Sequence, residues 1–287
     1  MPADHFPRHK SMTTSISIVT CSYQQGAYLD ATLRSVLDQR YPALEYIVID
    51  GGSTDESVAV IERHQESLAC WVSEPDNGQT DALIKGFSHA SGEVQGWLCS
   101  DDLLLPGALA RVGAFFAANP DVHAVYGDSL WIDANGRFLR PKKEGAFFRH
   151  AFLFDHNFIP QPSMFWRRRL YEKVGGLNPR FNLAMDSDLW ERFSRHTRIA
   201  HIPEYLSCMR FYPQQKTRSM RPQGRLEDQE IRSRSRLAAW RGVQPLHRLT
   251  GTALRVGAKL VAGGYGAAVD ESVIAALEPY HLGLAAE

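Results

Sequence analysis

A chain of 287 residues, 44% hydrophobic and 22% charged, is long enough for one large α/β domain and an appendage. Lys plus Arg equals Asp plus Glu at 32 each, so no overall basic field points to nucleic acid. No run of about eighteen apolar residues offers a membrane span. Residues 1–15 lack the apolar core of a secretory signal, and Cys21, Cys70, Cys99 and Cys208 are too scattered for a disulfide framework or a zinc site. A cytoplasmic location with reduced thiols is the expectation.

Residues 1–14 are polar and read as a flexible lead-in. Residues 16–21 form a short β-branched run, the first expected strand. A loop follows at 22–26. Tyr28, Leu29, Leu33, Val36 and Leu37 then recur at helical spacing until Tyr41 and Pro42 end the helix. Residues 46–49 are a second strand that runs into Asp50-Gly51-Gly52-Ser53-Thr54-Asp55. Val58, Ile61 and Leu68 mark another amphipathic helix, residues 70–72 a third strand, 74–78 a turn cluster, and Ala82, Leu83, Gly86, Phe87 and Ala90 a third helical face.

The apolar run 94–99 reads as a buried strand that stops on two adjacent carboxylates, Asp101 and Asp102. Adjacent carboxylates repel and need solvation, which places them at a strand's exposed end. There they can offer oxygens to a hard divalent cation carrying phosphates, or they form a polar turn before the helix opened by Pro106. Strand and helix alternate to about residue 125, which predicts a parallel sheet with helices on both faces. Ligands of such sheets bind outside the strands' carboxyl ends. Those ends carry Thr20, Ser22 and Tyr23, then Asp50 to Asp55, then Ser100 to Asp102. Three polar clusters on one edge suit a nucleotide, with a metal for its phosphates.

Beyond residue 120 the pattern changes. Residues 122–126 and 129–132 look like separate strands, with a hairpin turn at Asn135-Gly136. Residues 161–166 are a further strand, and an Arg-rich helix from Arg168 ends at Gly175-Gly176. The next helix holds Asp186 and Asp188 in its first turn, where carboxylates serve as caps or as functional groups. Residues 199–202 are the last expected strand, followed by a basic, aromatic loop at 210–218. The remainder, 220–287, reads as a C-terminal helical extension, with Leu226, Ile231, Leu237, Ala238 and Trp240 as its first apolar positions. Residues 246–261 combine leucines with His247, Arg248, Arg255 and Lys259. Such a helix lies on a membrane surface or an oligomer contact, or packs on the domain with a solvated charged face.

Four segments together resemble the family 2 glycosyltransferases of the GT-A fold. They are residues 16–23, 46–55, 74–86 and 97–102, and the match runs from about Ser15 to Ser219. The resemblance implies an α/β, Rossmann-like, mostly parallel central sheet flanked by helices. It implies an inverting enzyme that moves a sugar from a nucleoside-diphosphate donor, UDP-sugar first, to a saccharide or lipid-linked acceptor in bacterial cell-surface polysaccharide or glycolipid synthesis. Such enzymes work in the cytoplasm, some peripherally at the inner membrane face. Carried onto this sequence, Asp102 would hold Mg2+ or Mn2+, and Thr20, Ser22, Tyr23, Asp50, Asp76 and Asp101 would meet the donor nucleotide. Arg210 and Lys216 would neutralise phosphate, Asp186 would be the general base, and Gln161 and Asp188 would face the acceptor.

The departures are also specific. Ser100 stands where a strict Asp-x-Asp motif begins, Met185 where the family usually has Glu, and Tyr212 where relatives often have a metal- or diphosphate-holding His. Two other classes stay open: a nucleotidyltransferase-like enzyme, against which the loop 22–26 lacks Arg and Lys, and an inactive sugar-nucleotide or polysaccharide binder.

Overall fold

The computed structural model describes residues 13–234, 244–266 and 268–283. Leu237, Ala238 and Trp240, and most of the 1–14 lead-in, lie outside these residues. The first half is the alternating unit the sequence predicts: β1 (Ile16–Ser22), α1 (Gly26–Leu37), β2 (Leu44–Asp50), α2 (Ser57–His64), β3 (Cys70–Ser73), α3 (Gln79–His89) and β4 (Val94–Cys99). These strands pair in parallel in the order β3-β2-β1-β4.

Period-two alternation sorts their side chains. Ile16, Ile18, Tyr46 and Val48 pack with Leu29, Leu33 and Ile61 on one face. Val19, Cys21, Ile47 and Ile49 pack with Ala82, Leu83 and Phe87 on the other. Gly86 lets α3 approach that second face, since a Cβ there would sit 2.3 Å from a Val19 methyl.

The second half differs from a simple continuation. It comprises β5 (Leu103–Leu104), α4 (Ala108–Ala118), β6 (Ala124–Ile132), β7 (Phe138–Lys142), α5 (Arg149–Phe154), β8 (Met164–Arg167), α6 (Arg168–Lys173), α7 (Met185–Ser194) and β9 (Ile199–Arg210). The sheet continues from β4 through β8, β6 and β9 to β5, with β7 paired on β6. Only β6 and β9 are parallel there; β8 runs antiparallel to both β4 and β6.

The two strands expected at 122–126 and 129–132 are one. Gly127 and Asp128 read as a break but are buried within it, because Asp128 accepts hydrogen bonds from His201 (2.8 Å) and from the Glu144 backbone (2.9 Å). Likewise β9 runs on to Arg210. Pro203 and Glu204 interrupt its apolar pattern, and they lie where its register with β6 shifts. Helix α5 had no clear periodic signal.

The C-terminal elements are α8 (Lys216–Ser219), α9 (Arg221–Ser233), α10 (Gln244–Val261) and α11 (Glu271–Ala275). They pack on the sheet domain at three places. α9 lies against α7, α10 against α5, and Leu277 and Tyr280 are buried against Leu103, Leu130 and Ile132. Among the described residues no helix is long and apolar enough to cross a membrane.

Candidate active site

The parallel register sets Ser22, Asp50 and Ser73 abreast at the carboxyl edge of β1, β2 and β3. Asp50 is fully buried and its oxygens are already engaged. Oδ2 accepts from Gly52 N, Ser53 N (2.8 Å) and Ser73 Oγ (2.7 Å), while Oδ1 accepts from Ser53 Oγ at 2.6 Å. It therefore shapes the loop after β2 as an Asx turn. Gly52 adopts φ +78°, which favours glycine there.

Asp76 sits against this loop: its Oδ1 accepts from Gly78 N at 2.7 Å, and a Cβ on Gly51 would meet its Oδ2. Thr20 is enclosed, its hydroxyl 2.9 Å from that of Tyr46, so it holds two strands together and presents nothing to the cleft. Ser22 is buried with its Oγ unpartnered, and Tyr23 is 61% exposed at the rim.

Next along the edge, Cys99, Asp101 and Asp102 bring one ligand atom each to within 4.8 Å of one another. Burial, and then the charge of Asp101, push the Asp102 carboxyl well above the usual range. Two enclosed carboxylates side by side are a donor set that a divalent cation would relieve, so the chemistry fits one. Asp102 is anchored by the Arg210 backbone, whose N–H donates to Oδ1 at 2.9 Å.

The Arg210 guanidinium is buried. Nε donates to the Asp101 carbonyl (2.7 Å) and Nη1 to the Ala134 carbonyl (2.7 Å), while Nη2 is left without a partner. Arg210 thus ties the acidic turn to the β6–β7 hairpin, with one donor of its fork in reserve. Tyr212 takes a role the sequence did not suggest: its hydroxyl donates to Asp101 Oδ2 at 2.9 Å and its ring packs on Tyr28. Lys216 reaches in from α8, its ammonium 2.8 Å from the Asn182 carbonyl, and burial pushes its pKa down.

Asp186 stands in the first turn of α7 but does not cap it; the cap position is Ala184. Its Oδ1 accepts from Ser187 N (2.7 Å) and its Oδ2 from Asn157 Nδ2 (2.9 Å). Burial, aided by the charge of Asp228, raises the carboxyl to about 7, against the opposing hydrogen bonds of Ser187 and Asn157. A carboxylate held near neutrality is poised to exchange a proton at working pH.

The backbone just before it is held from α9. Glu227 Oε2 accepts from Asn182 N, Leu183 N and Ala184 N, the last two at 2.9 Å. Asp188, by contrast, is buried with both oxygens in ion pairs, Oδ2 with Arg192 (2.7 Å) and Oδ1 with Arg234 (2.8 Å). It joins α7 to α9 and leaves no oxygen for an acceptor. Sequence reasoning missed Asn157 and Glu227. Each is a lone polar residue far along the chain from its partner, and only the fold brings them together.

Asp186 and Gln161 line one cavity of about 430 Å³. Gln161 donates to the Trp97 carbonyl (2.9 Å), and its Oε1 accepts from the Cys99 thiol (3.4 Å). Gln161 thus lines the cavity of Asp186 and touches Cys99 of the Cys99–Asp101–Asp102 cluster. An aromatic stack ties the two regions. Trp97, on the strand that delivers the acidic pair, lies 5.3 Å from Trp190 on α7 at an interplanar angle of 19°. Both also pack on Trp166.

A two-faced α/β sheet with carboxylates gathered at its strand ends is the GT-A architecture. The chain superimposes on the crystal structure of S. aureus TarS 1–349 in complex with UDP-GlcNAc with a TM-score of 0.59 and 18% identity, covering 72% of this chain and 61% of that one. It superimposes on the mannosyltransferase PcManGT from Pyrobaculum calidifontis in complex with GDP-Man and Mn2+ with a TM-score of 0.60 and 19% identity, covering 94% and 83%. Identities this low speak for the fold.

The family follows from sequence. Residues 17–175 match the model for glycosyl transferase family 2, and the chain belongs to that family. The matched stretch contains the sheet edge and Asp102 and ends before Asp186. An uncharacterized glycosyltransferase of Mycobacterium tuberculosis is 32% identical over 176 residues, 61% of this chain and 66% of that protein. A PGL/p-HBAD biosynthesis glycosyltransferase of Mycobacterium bovis is 32% identical over 60% of this chain and 66% of its own length. The O-antigen biosynthesis protein RfbC of Myxococcus xanthus is 32% identical over 67% of this chain but only 15% of its own. The chain thus spans just under two-thirds of the length of the first two relatives.

Proposed function

We propose that the protein transfers a sugar from a nucleoside-diphosphate donor to an acceptor hydroxyl, with inversion, in the assembly of a cell-surface polysaccharide or glycolipid. One observation carries this reading. Gln161 bridges the candidate base and the acidic cluster: it lines the cavity of Asp186 and its Oε1 accepts from the Cys99 thiol. The names of the solved neighbours, with UDP-GlcNAc or with GDP-Man and Mn2+, support a nucleotide sugar as donor, UDP-linked by preference. Relatives named for O-antigen and PGL/p-HBAD biosynthesis support the product class.

Asp102, with Asp101 and Cys99 at hand, would hold Mg2+ or Mn2+, which when bound offsets the charge growing on the leaving diphosphate. Arg210 Nη2 and Lys216 add positive charge on the same side. The Ser22 hydroxyl, Tyr23 and the Asp50–Asp76 loop form the nucleotide wall.

Asp186, oriented by Asn157, takes the proton from the attacking hydroxyl. One carboxylate base facing the reacting carbon, with the leaving group on the other side and no nucleophile between, inverts the anomeric centre. The exposed leucines of α10, Leu246, Leu249 and Leu260, support peripheral contact with the cytoplasmic face of a membrane.

The test is release of nucleoside diphosphate from a panel of UDP- and GDP-sugars, with Mn2+ or with a chelator, and the anomeric configuration of the product by NMR. Cation-dependent release and an inverted product are expected; a retained configuration would refute the single-base mechanism. The hydroxyl that Tyr212 places on Asp101 favours a second reading, a sugar-nucleotide binder without turnover. Tight donor binding with no release in any acceptor mixture would establish it.

A further inference from the structure

Scattered in sequence, two of the four cysteines meet in the fold. Cys21 stands next to the end of β1 and Cys99 ends β4, and the parallel register makes them partners. Cys21 belongs to the core on one face of the sheet and Cys99 packs against that core, so both side chains leave the sheet on the same side. Their thiols lie within hydrogen-bonding reach of each other. The other two cysteines have no such neighbour. Cys70 is in register with Ile47, and Cys208 with Leu103 and Leu130.

Neighbouring strands run about 4.8 Å apart. That separation falls inside the Cα range of disulfides, about 4.4–6.8 Å, and slightly beyond their Cβ range of about 3.5–4.5 Å. A bond here therefore closes with a small inward pull on the two strand ends. Bonds closed against strain are readily reduced, which is the character of a switch rather than a staple. Access is one-sided: Cys21 is buried, whereas Cys99 is partly exposed. Gln79 donates to the Cys99 sulfur at 3.3 Å, and the Lys216 ammonium stands 3.4 Å from Oε1 of the same Gln79. These groups favour a nucleophilic sulfur, and the Asp101 and Asp102 carboxylates within 4.8 Å oppose it. What the geometry supplies is a resolving thiol at close range rather than an unusually reactive one.

The pair touches the site twice. The Cys99 sulfur belongs to the cluster with Asp101 and Asp102, and its S–H donates to Oε1 of Gln161, which lines the Asp186 cavity. A disulfide has no S–H to donate, and its pull falls on the strand end that leads into Asp101 and Asp102.

We propose that Cys21 and Cys99 form a reversible disulfide that closes the cation site when the protein meets hydrogen peroxide. The Cys99 sulfur attacks one peroxide oxygen, the O–O bond breaks, and water leaves a sulfenic acid behind. Cys21 then attacks the Cys99 sulfur; the S–S bond forms, the S–O bond breaks, and a second water leaves. Together the thiols give up two electrons and two protons, and one peroxide becomes two waters. A dithiol reverses the bond by exchange. The proposal rests on the reading of the acidic cluster as the cation site of a transferase.

The experiment treats the full chain with hydrogen peroxide, digests it without reductant and maps the peptides by mass spectrometry. The peptides holding Cys21 and Cys99 should be linked, and the intact protein lighter by two hydrogens. Mn2+ affinity, measured by calorimetry with UDP present, should fall about tenfold or more and return with dithiothreitol. C21A removes the resolving thiol. It should bind Mn2+ like the reduced wild type and, after peroxide, carry a sulfenic acid at Cys99 that dimedone traps.

Oxidation of wild-type Cys99 without the link, or a link to Cys70, to Cys208 or between two chains, overturns the proposal. So does a linked protein that holds Mn2+ as tightly as before, or a reduced protein that binds none. A collapse in melting temperature that dithiothreitol does not repair would mark the bond as damage and overturn the switch as well. Donor cleavage by the reduced protein is measured separately. Its absence sinks the transferase reading, while the peptide map and the calorimetry still decide the disulfide.

Discussion

Replacing Asp186 by Asn tests the chemistry and the electrostatics together. Removing a general base typically costs ~10²–10⁴ in rate, so turnover should fall by that range while donor affinity changes little. The pH profile is more discriminating. With its carboxyl raised to about 7, the wild type should gain activity tenfold per unit below neutrality and level off above it. D186N should lose that limb.

Stability gives an independent sign. Between the ordinary value of 3.8 and about 7, the folded carboxyl keeps a proton that the unfolded chain releases. Its contribution is therefore fully present below 3.8 and lost as pH rises through 7, a fall of at most about 4 kcal/mol, less where water reaches the half-buried side chain. Asn does not titrate and escapes this loss. It does turn an amide nitrogen toward either the Ser187 N–H or the Asn157 amide, forfeiting about 1 kcal/mol of hydrogen bonding. The melting temperature of D186N should thus rise relative to wild type between pH 5 and pH 8. Near-normal turnover in D186N, or the same rising limb in both proteins, would refute the assignment.

Three further outcomes are expected at the same site. D102N should abolish the Mn2+ response of nucleoside diphosphate release without lowering the melting temperature, because it removes one of two repelling buried carboxylates; a Mn2+ titration with calorimetry checks both. E227A strips the acceptor from three backbone N–H groups ahead of Asp186 and should cost about 2–3 kcal/mol in urea unfolding. It should also reduce kcat more than the donor KM, since the helix carrying the base is loosened and the nucleotide wall is not. W190A removes a fully buried ring from the Trp97–Trp166–Trp190 stack and should destabilise by about 3–5 kcal/mol. If W190A left both stability and turnover unchanged, the stack would not be what holds α7 and the acidic pair in their relative places.

The parts of the molecule legible in the sequence are those where local periodicity and function coincide. β1 to β4 alternate with α1 to α3 in apolar patterns of period two and 3.6, and each strand ends in a polar cluster. Both the parallel sheet and the polar carboxyl edge of its strands could therefore be read from residues 15–102. The second half hid its plan because its signals contradict each other locally. Asp128 looks like a turn residue and is buried with His201; Pro203 looks like a stop and lies within β9. Asp188 looks as available as Asp186, two residues away, yet Arg192 and Arg234 consume it. Only tertiary partners distinguish those two carboxylates, and one of those partners, Arg234, comes directly after α9.

The C-terminal region is accordingly more than an appendage. By sequence pattern, residues beyond 219 form an extension. In the fold, Glu227 holds the backbone that presents Asp186, Asp228 helps raise its pKa, and Arg234 neutralises its neighbour. α10 supplies Arg255 and Lys259 to the chamber in which that carboxyl sits. The carboxyl edge of β1 to β4 lies within the part that matches the family, whereas the helices beyond residue 219 brace Asp186 and add Arg255 and Lys259 to a cavity otherwise lined by residues 131–209. An enzyme constructed this way can keep its donor chemistry while its C-terminal helices change the acceptor. Grafting residues 220–283 from a relative with a different acceptor should then move acceptor preference and leave the choice of nucleotide sugar unaltered, as a matrix of donors against acceptors would reveal. A graft that altered the donor preference instead would place nucleotide recognition in the helices and overturn this division of labour.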